Sequence, residues 1–293
     1  MVSPAATLAR RLWEAVEPLH AAVYFAPRAR EVALGLGMSG YWMGYFSARS
    51  APLGAITAAP VAAMFYSFAP GRVARALPGA WSHATPEAVL AARIDTAVEV
   101  LNPYLARVGR PEQDRLAGLL EAAADGCGFD GRPLAAAWSQ VVRPDCVAAR
   151  IWLAATVLRE HRGDGHVLAC VREGLAGIDA LLTHVATGSV TREVLQRNRG
   201  WSDEEWDAGR RRMRARRLID GDGRLTRVGG ALRREVEDRT DMLAGDPVTA
   251  LGPAGAEAVI DICTPISAAL YDAGAMTDPN PIGVPRPGRR AGR

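Results

Sequence analysis

The string REHRGDGH, near the middle of the chain, holds the densest group of side chains that could do chemistry. His161, Asp164 and His166 supply two imidazoles and a carboxylate, which are ligand types that bind zinc or iron. Because their spacing follows no strong metal-binding pattern, a fourth ligand would have to come from His20 or His184 through folding. The sequence therefore makes these residues weak candidates for metal ligands, and no metal is predicted.

The same string allows two other chemistries and one structural role. A histidine oriented by Asp164 or Glu160 could act as a general acid or base. Arg162, the two histidines and the amides of a following helix could instead bind an anion. In the structural role, Gly163 ends one helix and Asp164 caps the next, which begins near His166. The residues alone leave these interpretations open.

Four aromatic side chains lie within residues 41–46, in a chain of which only 6% is aromatic. The run is typical of a buried helix or of the wall of a ligand pocket, since pockets are mostly apolar and aromatic with a few polar anchors. We predict a small-molecule pocket in the N-terminal region. Its candidate lining residues are His20, Tyr24, Trp42, Tyr45, Arg49, His161, Arg162 and His166.

The sequence contains no standard catalytic or cofactor-binding motif. A nucleophile elbow, a dinucleotide-binding glycine pattern, a phosphate-binding loop and an HExxH zinc motif are all missing from the chain. The sequence therefore leans against an enzyme without excluding one. We predict no cofactor.

Residues 190–239 carry helix and turn signals in the order of a winged helix-turn-helix. Ser202 and Glu205 fit a capping box at the start of an arginine-rich helix. The turn residues Asp220–Gly223 lie between two short strands, so they predict a β-hairpin wing. Thr226 then begins a final helix. We predict a helix, a turn, a second helix, a wing and a last helix.

The strings RLID and DGRLTRVGGALR resemble the wing and following helix of MarR-type winged-helix proteins. This resemblance covers about fifty residues, and winged helices serve both as DNA-binding and as protein-interaction modules. The whole chain is also similar to an actinobacterial family of winged-helix proteins with a helical N-terminal region. That second resemblance implies no particular activity.

A DNA complex of this module would depend on its arginines. They follow the start of the second helix by one to three turns, where side chains reach phosphates rather than base edges. Four carboxylates between residues 203 and 207 argue against ordinary readout of bases in the major groove. The predicted DNA contacts are Arg210, Arg211, Arg214, Arg217 and Arg224.

The fold class predicted from these patterns is mainly α, with a multi-helical N-terminal domain and a winged helix-turn-helix that has a small β-hairpin wing. Almost nothing before residue 185 alternates with the period of a strand. The predicted parts are an all-helical domain with the pocket (1–185), the winged helix-turn-helix (186–245), a C-terminal helix (246–278) and a disordered basic tail (279–293).

Charge and hydropathy indicate where in the cell the protein is located. The net charge is +3, and every basic residue is arginine, as in proteins of GC-rich genomes. No stretch of about twenty apolar residues avoids charge or proline, and the N-terminus lacks the layout of a signal peptide. We therefore expect a cytoplasmic protein with no membrane partner.

The preferred hypothesis is a DNA-binding transcriptional regulator whose helical domain senses a small molecule. Its predicted partners are double-stranded DNA, a small-molecule effector and a second copy of the chain. The C-terminal helix is predicted either to dock on the helical body or to pair between subunits. The alternative is a small-molecule- or metal-binding protein, or an enzyme, that uses the region of His161, Asp164 and His166. In that alternative the winged helix serves as scaffold.

Overall fold

The computed structural model describes residues 4–287, and over that range the chain is mainly α, as predicted. The helices before residue 173 are α1 (Pro4–Phe25), α2 (Pro27–Gly35), α3 (Gly40–Ser50), α4 (Ala58–Met64), α5 (Pro70–Ala74), α6 (Pro86–Leu105), α7 (Arg110–Asp125), α8 (Pro133–Ser139) and α9 (Val147–Arg172). Those after it are α10 (Gly177–Val185), α11 (Arg192–Arg199), α12 (Asp203–Ala215), α13 (Arg227–Leu243) and α14 (Asp246–Asp272). None of these helices is both long and apolar enough to cross a membrane.

The long helix α9 lies at the centre of the fold. Apart from Arg150, every residue from Val147 to Leu158 is buried, a pattern that places a helix inside a core rather than on a surface. It contacts α1, α6, α7, α8 and α13, while α1 packs along α14. The main core therefore surrounds α9, and Trp138 and Trp152 are among its fully buried side chains.

A second, smaller core begins where α9 ends. Ala169 and Cys170 of α9 pack there with the apolar side chains of α10 to α13, including Trp206 and Met213. We call α10–α13 (residues 177–243) the module, and α1–α9 together with α14 the body. Because α9 contributes to both cores, it connects the body to the module. The packing unit of the module also includes α10, which lies before residue 186.

The C-terminal helix α14 packs on the body of its own chain. Its buried residues, among them Val259, Cys263 and Leu270, belong to the main core. The apolar face that the sequence suggested for pairing between subunits is therefore covered within the chain.

The segment after α14 also packs on the protein. Asn280 and Val284 are buried, and the Tyr271 hydroxyl donates to the Val284 carbonyl at 3.1 Å. The sequence predicts a disordered tail from residue 279, but the chain is packed as far as Val284. Residues 288–293 of the predicted tail lie outside the described residues.

The predicted β-hairpin wing is wrong, because no strand forms between residues 4 and 287. Residues 218–226 make a tight turn closed by a single antiparallel bridge between Ile219 and Leu225. The segment between α12 and α13 is too short to form two strands and a turn. The Leu218 amide bonds to the Met213 carbonyl at the end of α12, and the Thr226 side chain caps α13. Only residues 219–225 lie between, and most of them form the turn.

Gly229 is expected to be essential for the packing of this turn on α13. A Cβ atom at this position would lie 1.9 Å from the carbonyl oxygen of Leu218. Gly229→Ala should therefore lower the free energy of unfolding by about 1–3 kcal/mol, the usual cost of overpacking. Urea unfolding followed by circular dichroism measures it.

The neighbouring glycine provides the control. A Cβ at Gly230 would meet only the flexible end of Arg234, at 3.5 Å. Gly230→Ala should be neutral or should stabilise α13 by up to about 1 kcal/mol, because alanine is the better helix former. Equal effects of the two substitutions would contradict the close packing of Gly229.

Candidate functional site

The two central helices of the module, α11 and α12, are joined by the short turn 200–202. Gly200 has a φ of 80°, in the left-handed region that favours glycine. The Ser202 hydroxyl accepts from the Glu205 amide, and the Glu205 carboxylate accepts from the Ser202 amide, so the predicted capping box is confirmed. The angle between the helices is thus set by a left-handed glycine and a double cap.

Three residues of α12 form its buried stripe. Trp206, Gly209 and Met213 follow one another at intervals of three and four, so they share one face of the helix. That face lies against α10, where a Cβ on Gly209 would come within 2.8 Å of Leu182. The remaining faces of α12 carry its charged side chains.

Two arginines, Arg212 in α12 and Arg216 directly after it, are hydrogen-bonded to other parts of the chain. Arg212 donates to the Asp179 carboxylate on α10 at 2.5 Å. Arg216 donates to the backbone carbonyls of Gly174 and Glu173, at 2.7 and 3.0 Å. Both guanidinium groups therefore have acceptors within the chain.

The other arginines of α12 and its C-terminal turn form no ion pair within residues 4–287. Arg210 is half-buried beside the turn, and the rest are exposed. We call Arg210, Arg211, Arg214 and Arg217 the basic face. Arg224, on the turn that replaces the wing, lies 3.4 Å from the exposed carboxylate of Asp222. The basic face and Arg224 are the residues that the sequence proposed as phosphate contacts.

The acidic start of α12 is largely engaged by the module itself. Arg192 of α11 pairs with Asp203 at 2.7 Å and with Asp207 at 3.5 Å. Glu205 is held in the capping box. Glu204 bonds to the Ser202 hydroxyl in the same turn. The repulsion that these acids would exert on a polyanion is therefore weaker than their number in the sequence suggests.

A cavity of about 820 Å³ lies between the body and the module. From the body it is lined by α1, α3, α9 and residues 64–68, and from the module by α10, α11 and α13. Residues 281–283 line it from the C-terminal segment. We call it the junction cavity. A molecule bound there would touch the body and the module at once.

Aromatic and arginine side chains dominate the wall of the junction cavity. The aromatic residues are Trp13, Tyr24, Phe25, Tyr41, Trp42, Tyr45, Phe65, Tyr66 and Phe68. The arginines are Arg10, Arg49, Arg159, Arg162, Arg199 and Arg233, and the carboxylates are Glu17 and Glu237. This composition suits a planar ligand that carries negative charge.

A buried ion cluster lies under one side of the cavity. Arg49 donates to both carboxylate oxygens of Glu160, at 2.8 and 2.7 Å, and Arg159 donates to the same group at 2.6 Å. Burial alone would raise the pKa of Glu160, but Arg159 and Arg49 hold it well below its ordinary value. Arg49 also donates to the Tyr45 hydroxyl at 3.3 Å. Burial opposes ionisation of Tyr45, yet the nearby arginines, Arg49 foremost, leave its pKa lowered.

His20 supports the cavity wall from behind. Its Nε2 atom lies 2.8 Å from the Tyr24 hydroxyl, and its Nδ1 atom lies 2.8 Å from the Thr156 hydroxyl. The ring stacks on Trp152 and is fully buried, so burial lowers the pKa of His20 well below its ordinary value. This neutral imidazole fixes the position of Tyr24.

The structure brings six of the eight predicted pocket residues to the junction cavity. These are Tyr24, Trp42, Tyr45, Arg49, Arg162 and His166. His20 does not line the cavity, but it is hydrogen-bonded to Tyr24, which does. His161 faces elsewhere, with its Nε2 atom 3.2 Å from the Asp246 carboxylate of α14.

The string REHRGDGH lies entirely inside α9, so the predicted helix end at Gly163 and the new helix near His166 are wrong. Asp164 does cap a helix, but a distant one: its carboxylate accepts from the amides of Leu134 and Ala135 at the start of α8, each at 3.0 Å. The helix continues through the two glycines because both sides of α9 are covered, by α8 and by α13.

The three candidate metal ligands diverge. His161 faces α14, Asp164 faces α8, and His166 bonds to the Thr240 hydroxyl of α13 at 3.0 Å. His166 lies two residues after Asp164 and five after His161, separations that put it on a different side of the helix, and His161 and Asp164 bond to different neighbouring helices. Within residues 4–287 no group of three or more His, Cys, Asp or Glu side chains has the arrangement of a metal site.

The most informative residue that the sequence did not single out is Arg199. It ends α11, lines the junction cavity, and lies over the Phe68 ring with 4.4 Å between the guanidinium carbon and the ring centroid. In the sequence it is one arginine among many in the module, and no local pattern separates it from Arg197. Only the packing of the module on the body identifies it.

A single protein-family model matches most of the chain. The model of a family described as a helix-turn-helix family matches residues 9–277, a range that contains both the module and nearly all of the body. No curated protein and no solved structure matches the chain significantly.

Proposed function

The chain belongs to a helix-turn-helix family, and on that premise we propose that it binds double-stranded DNA as a regulator of transcription. One observation carries the proposal: the arginines of α12 divide into two sets. Arg212 is bonded to Asp179 and Arg216 to backbone carbonyls at the end of α9, while the basic face has no carboxylate partner within residues 4–287. Unpaired arginines on an exposed helix can release counterions from DNA phosphates, which is the main source of affinity.

Contact with phosphates explains this arrangement better than contact with bases. The first turn of α12 carries Asp203 and Glu204 where a recognition helix usually meets base edges. The basic face begins two turns later. We infer that α12 follows the backbone of the duplex and that Arg224, on the adjoining turn, reaches a neighbouring phosphate. Sequence preference would then come mainly from the shape of the DNA.

We further propose that the junction cavity holds the small-molecule effector of this regulator. Its volume lies in the range of ligand sites, and its wall combines aromatic rings with a few charged groups. Because α11 lines the cavity and is joined to α12 by a short turn, a ligand there could shift the balance between two positions of α12. The alternative of a metal or catalytic site at His161, Asp164 and His166 gains no support, because these side chains diverge.

Replacing Arg217 with glycine should separate stability from DNA binding. Arg217 has a φ of 57°, a left-handed conformation that is strained for any residue with a Cβ. Arg217→Gly should raise the free energy of unfolding by about 0.5–1 kcal/mol. It should also remove one phosphate contact, so the plot of log affinity against log salt should become shallower by about one. Chemical unfolding and fluorescence anisotropy with a labelled duplex measure the two effects.

Arg217→Ala is the matched control, because it removes the charge and keeps the strain. It should weaken DNA binding to the same extent without the gain in stability. If neither substitution changes the affinity for the duplex, Arg217 does not contact phosphate and the proposed orientation of α12 is wrong.

A further inference from the structure

Two nitrogen donors at the junction cavity have no acceptor. Arg199 Nε and Arg162 Nη1 are buried without a hydrogen-bond partner. Arg162 at least pairs with Asp241, at 2.8 Å. Arg199 has no carboxylate partner within residues 4–287: its guanidinium donates to the Pro281 carbonyl at 3.1 Å and lies over Phe68. A buried donor without an acceptor is costly, so both groups favour a ligand that supplies acceptors.

The charges around the cavity do not balance. Its six arginines face five carboxylates, namely Glu14, Glu17, Glu160, Glu237 and Asp241. The arginines therefore outnumber the carboxylates by one. Burial lowers the pKa of Arg162 and of Arg199, because these guanidinium ions lose part of their hydration. An anion in the cavity would offset that loss, whereas a cation would add to it.

The surroundings of Arg199 also select the shape of the ligand. Phe68 lies under its guanidinium, and Tyr41, Trp42 and Tyr45 form a continuous aromatic wall with ring centroids 5.0 to 6.1 Å apart. Phe68 joins this wall, 5.6 Å from Trp42. Aromatic walls of this kind stack on planar rings better than on flexible chains. The unpaired donors favour a ligand with a negatively charged group, and the aromatic walls favour a ligand with a planar ring.

We propose that the junction cavity binds an aromatic anion, a planar ring system bearing a carboxylate or sulfonate group, and that Arg199 binds the acidic group. The proposal that this anion binds depends only on the cavity and not on the proposed function. Its regulatory consequence rests on the proposed function, because only a DNA-binding protein can be regulated in this way.

Arg199 is placed to transmit binding to α12. It is the last residue of α11 and directly precedes Gly200, where the turn to α12 begins. Its backbone carbonyl accepts from the Ala69 amide at 2.9 Å, so the end of α11 is tied to the body beside the cavity. An anion that pulls on the Arg199 side chain therefore acts on the point where α12 is anchored. We expect ligand binding to change the affinity for DNA.

The test uses two fluorescent probes of the same shape, anilinonaphthalenesulfonate and its uncharged analogue phenylnaphthylamine, titrated into the full-length chain. The sulfonate should bind at one site per chain, at least about tenfold more tightly than the neutral probe, the factor expected for one charge-assisted hydrogen bond. Arg199→Gln should abolish that preference, and Arg199→Lys should restore part of it. Arg197→Gln is the control, because Arg197 is exposed on the same helix and should leave binding unchanged.

Circular dichroism of each variant guards against loss of fold as the cause. Equal affinity for the two probes, or a sulfonate preference that survives Arg199→Gln, would overturn the inference. Anisotropy with a labelled duplex, with and without the sulfonate, forms a separate arm. If the duplex does not bind at all but the sulfonate preference depends on Arg199, the ligand site stands and the proposed function fails. If the duplex binds and the sulfonate leaves its affinity unchanged, the regulatory step is wrong.

Discussion

Replacing Arg210, Arg211 and Arg214 together with glutamate should lower the affinity for double-stranded DNA by about 100-fold or more at moderate salt. Each substitution removes a phosphate contact and introduces a charge that the duplex repels. The fold should survive, because these side chains form no ion pair within residues 4–287 and lie at the surface or beside the turn at Gly223. Fluorescence anisotropy with a labelled random-sequence duplex measures the effect.

The matched control is the triple substitution of Arg30, Arg107 and Arg115 with glutamate. These arginines are exposed on the body, and none of them forms an ion pair within the part of the chain that the structure describes. Both triple variants change the net charge from +3 to −3, since each substitution removes one positive charge and adds one negative charge. The control should lose far less affinity. Equal losses would mean that only the overall charge matters, and no loss in either variant would exclude the basic face as the DNA contact.

Glu160→Gln is expected to destabilise the protein by about 3–5 kcal/mol, the usual cost of removing one partner from a buried ion pair. The Glu160 carboxylate is fully buried and compensates Arg49 and Arg159 at the same time. Glutamine keeps the shape but cannot neutralise either guanidinium. Urea unfolding at neutral pH measures the loss, which should appear as a lower midpoint with little change in slope.

An exposed pair of the same chemistry provides the comparison for Glu160. Glu99 accepts from Arg28 at 2.7 Å, with about half of each side chain exposed to solvent. Because surface ion pairs contribute at most about 1 kcal/mol, Glu99→Gln should have a small effect. A loss at Glu160 no larger than the loss at Glu99 would contradict a buried, charged cluster beneath the junction cavity.

Local signals in the sequence predicted the module well. The capping box of Ser202 and Glu205, the cap at Thr226 and the spacing of Trp206 and Met213 depend only on residues close in the chain. Such signals act through backbone amides and helix periodicity, so they survive whatever the rest of the protein does. The wing failed for a reason of length: the caps of α12 and α13 take up the residues that a hairpin would need.

Signals that depend on distant partners were harder to interpret. Gly163 and Asp164 have the composition of a helix end, but tertiary packing keeps α9 intact and uses Asp164 to cap α8. Of the aromatic run at residues 41–46, Tyr41, Trp42 and Tyr45 line the junction cavity, whereas Phe46 is buried in the main core. The sequence could not single out Arg199, because it is one arginine among many and its role depends on how the module packs on the body.

The account is tested most directly by titrating the unmodified full-length chain with a labelled random-sequence duplex at salt concentrations from about 50 to about 200 mM. If the basic face and Arg224 neutralise phosphates, the protein should bind at the lowest salt, and log affinity should fall against log salt with a slope between about −3 and −5. An absence of binding at about 50 mM salt, or an affinity that salt does not change, would contradict the claim that this helix-turn-helix protein acts on DNA.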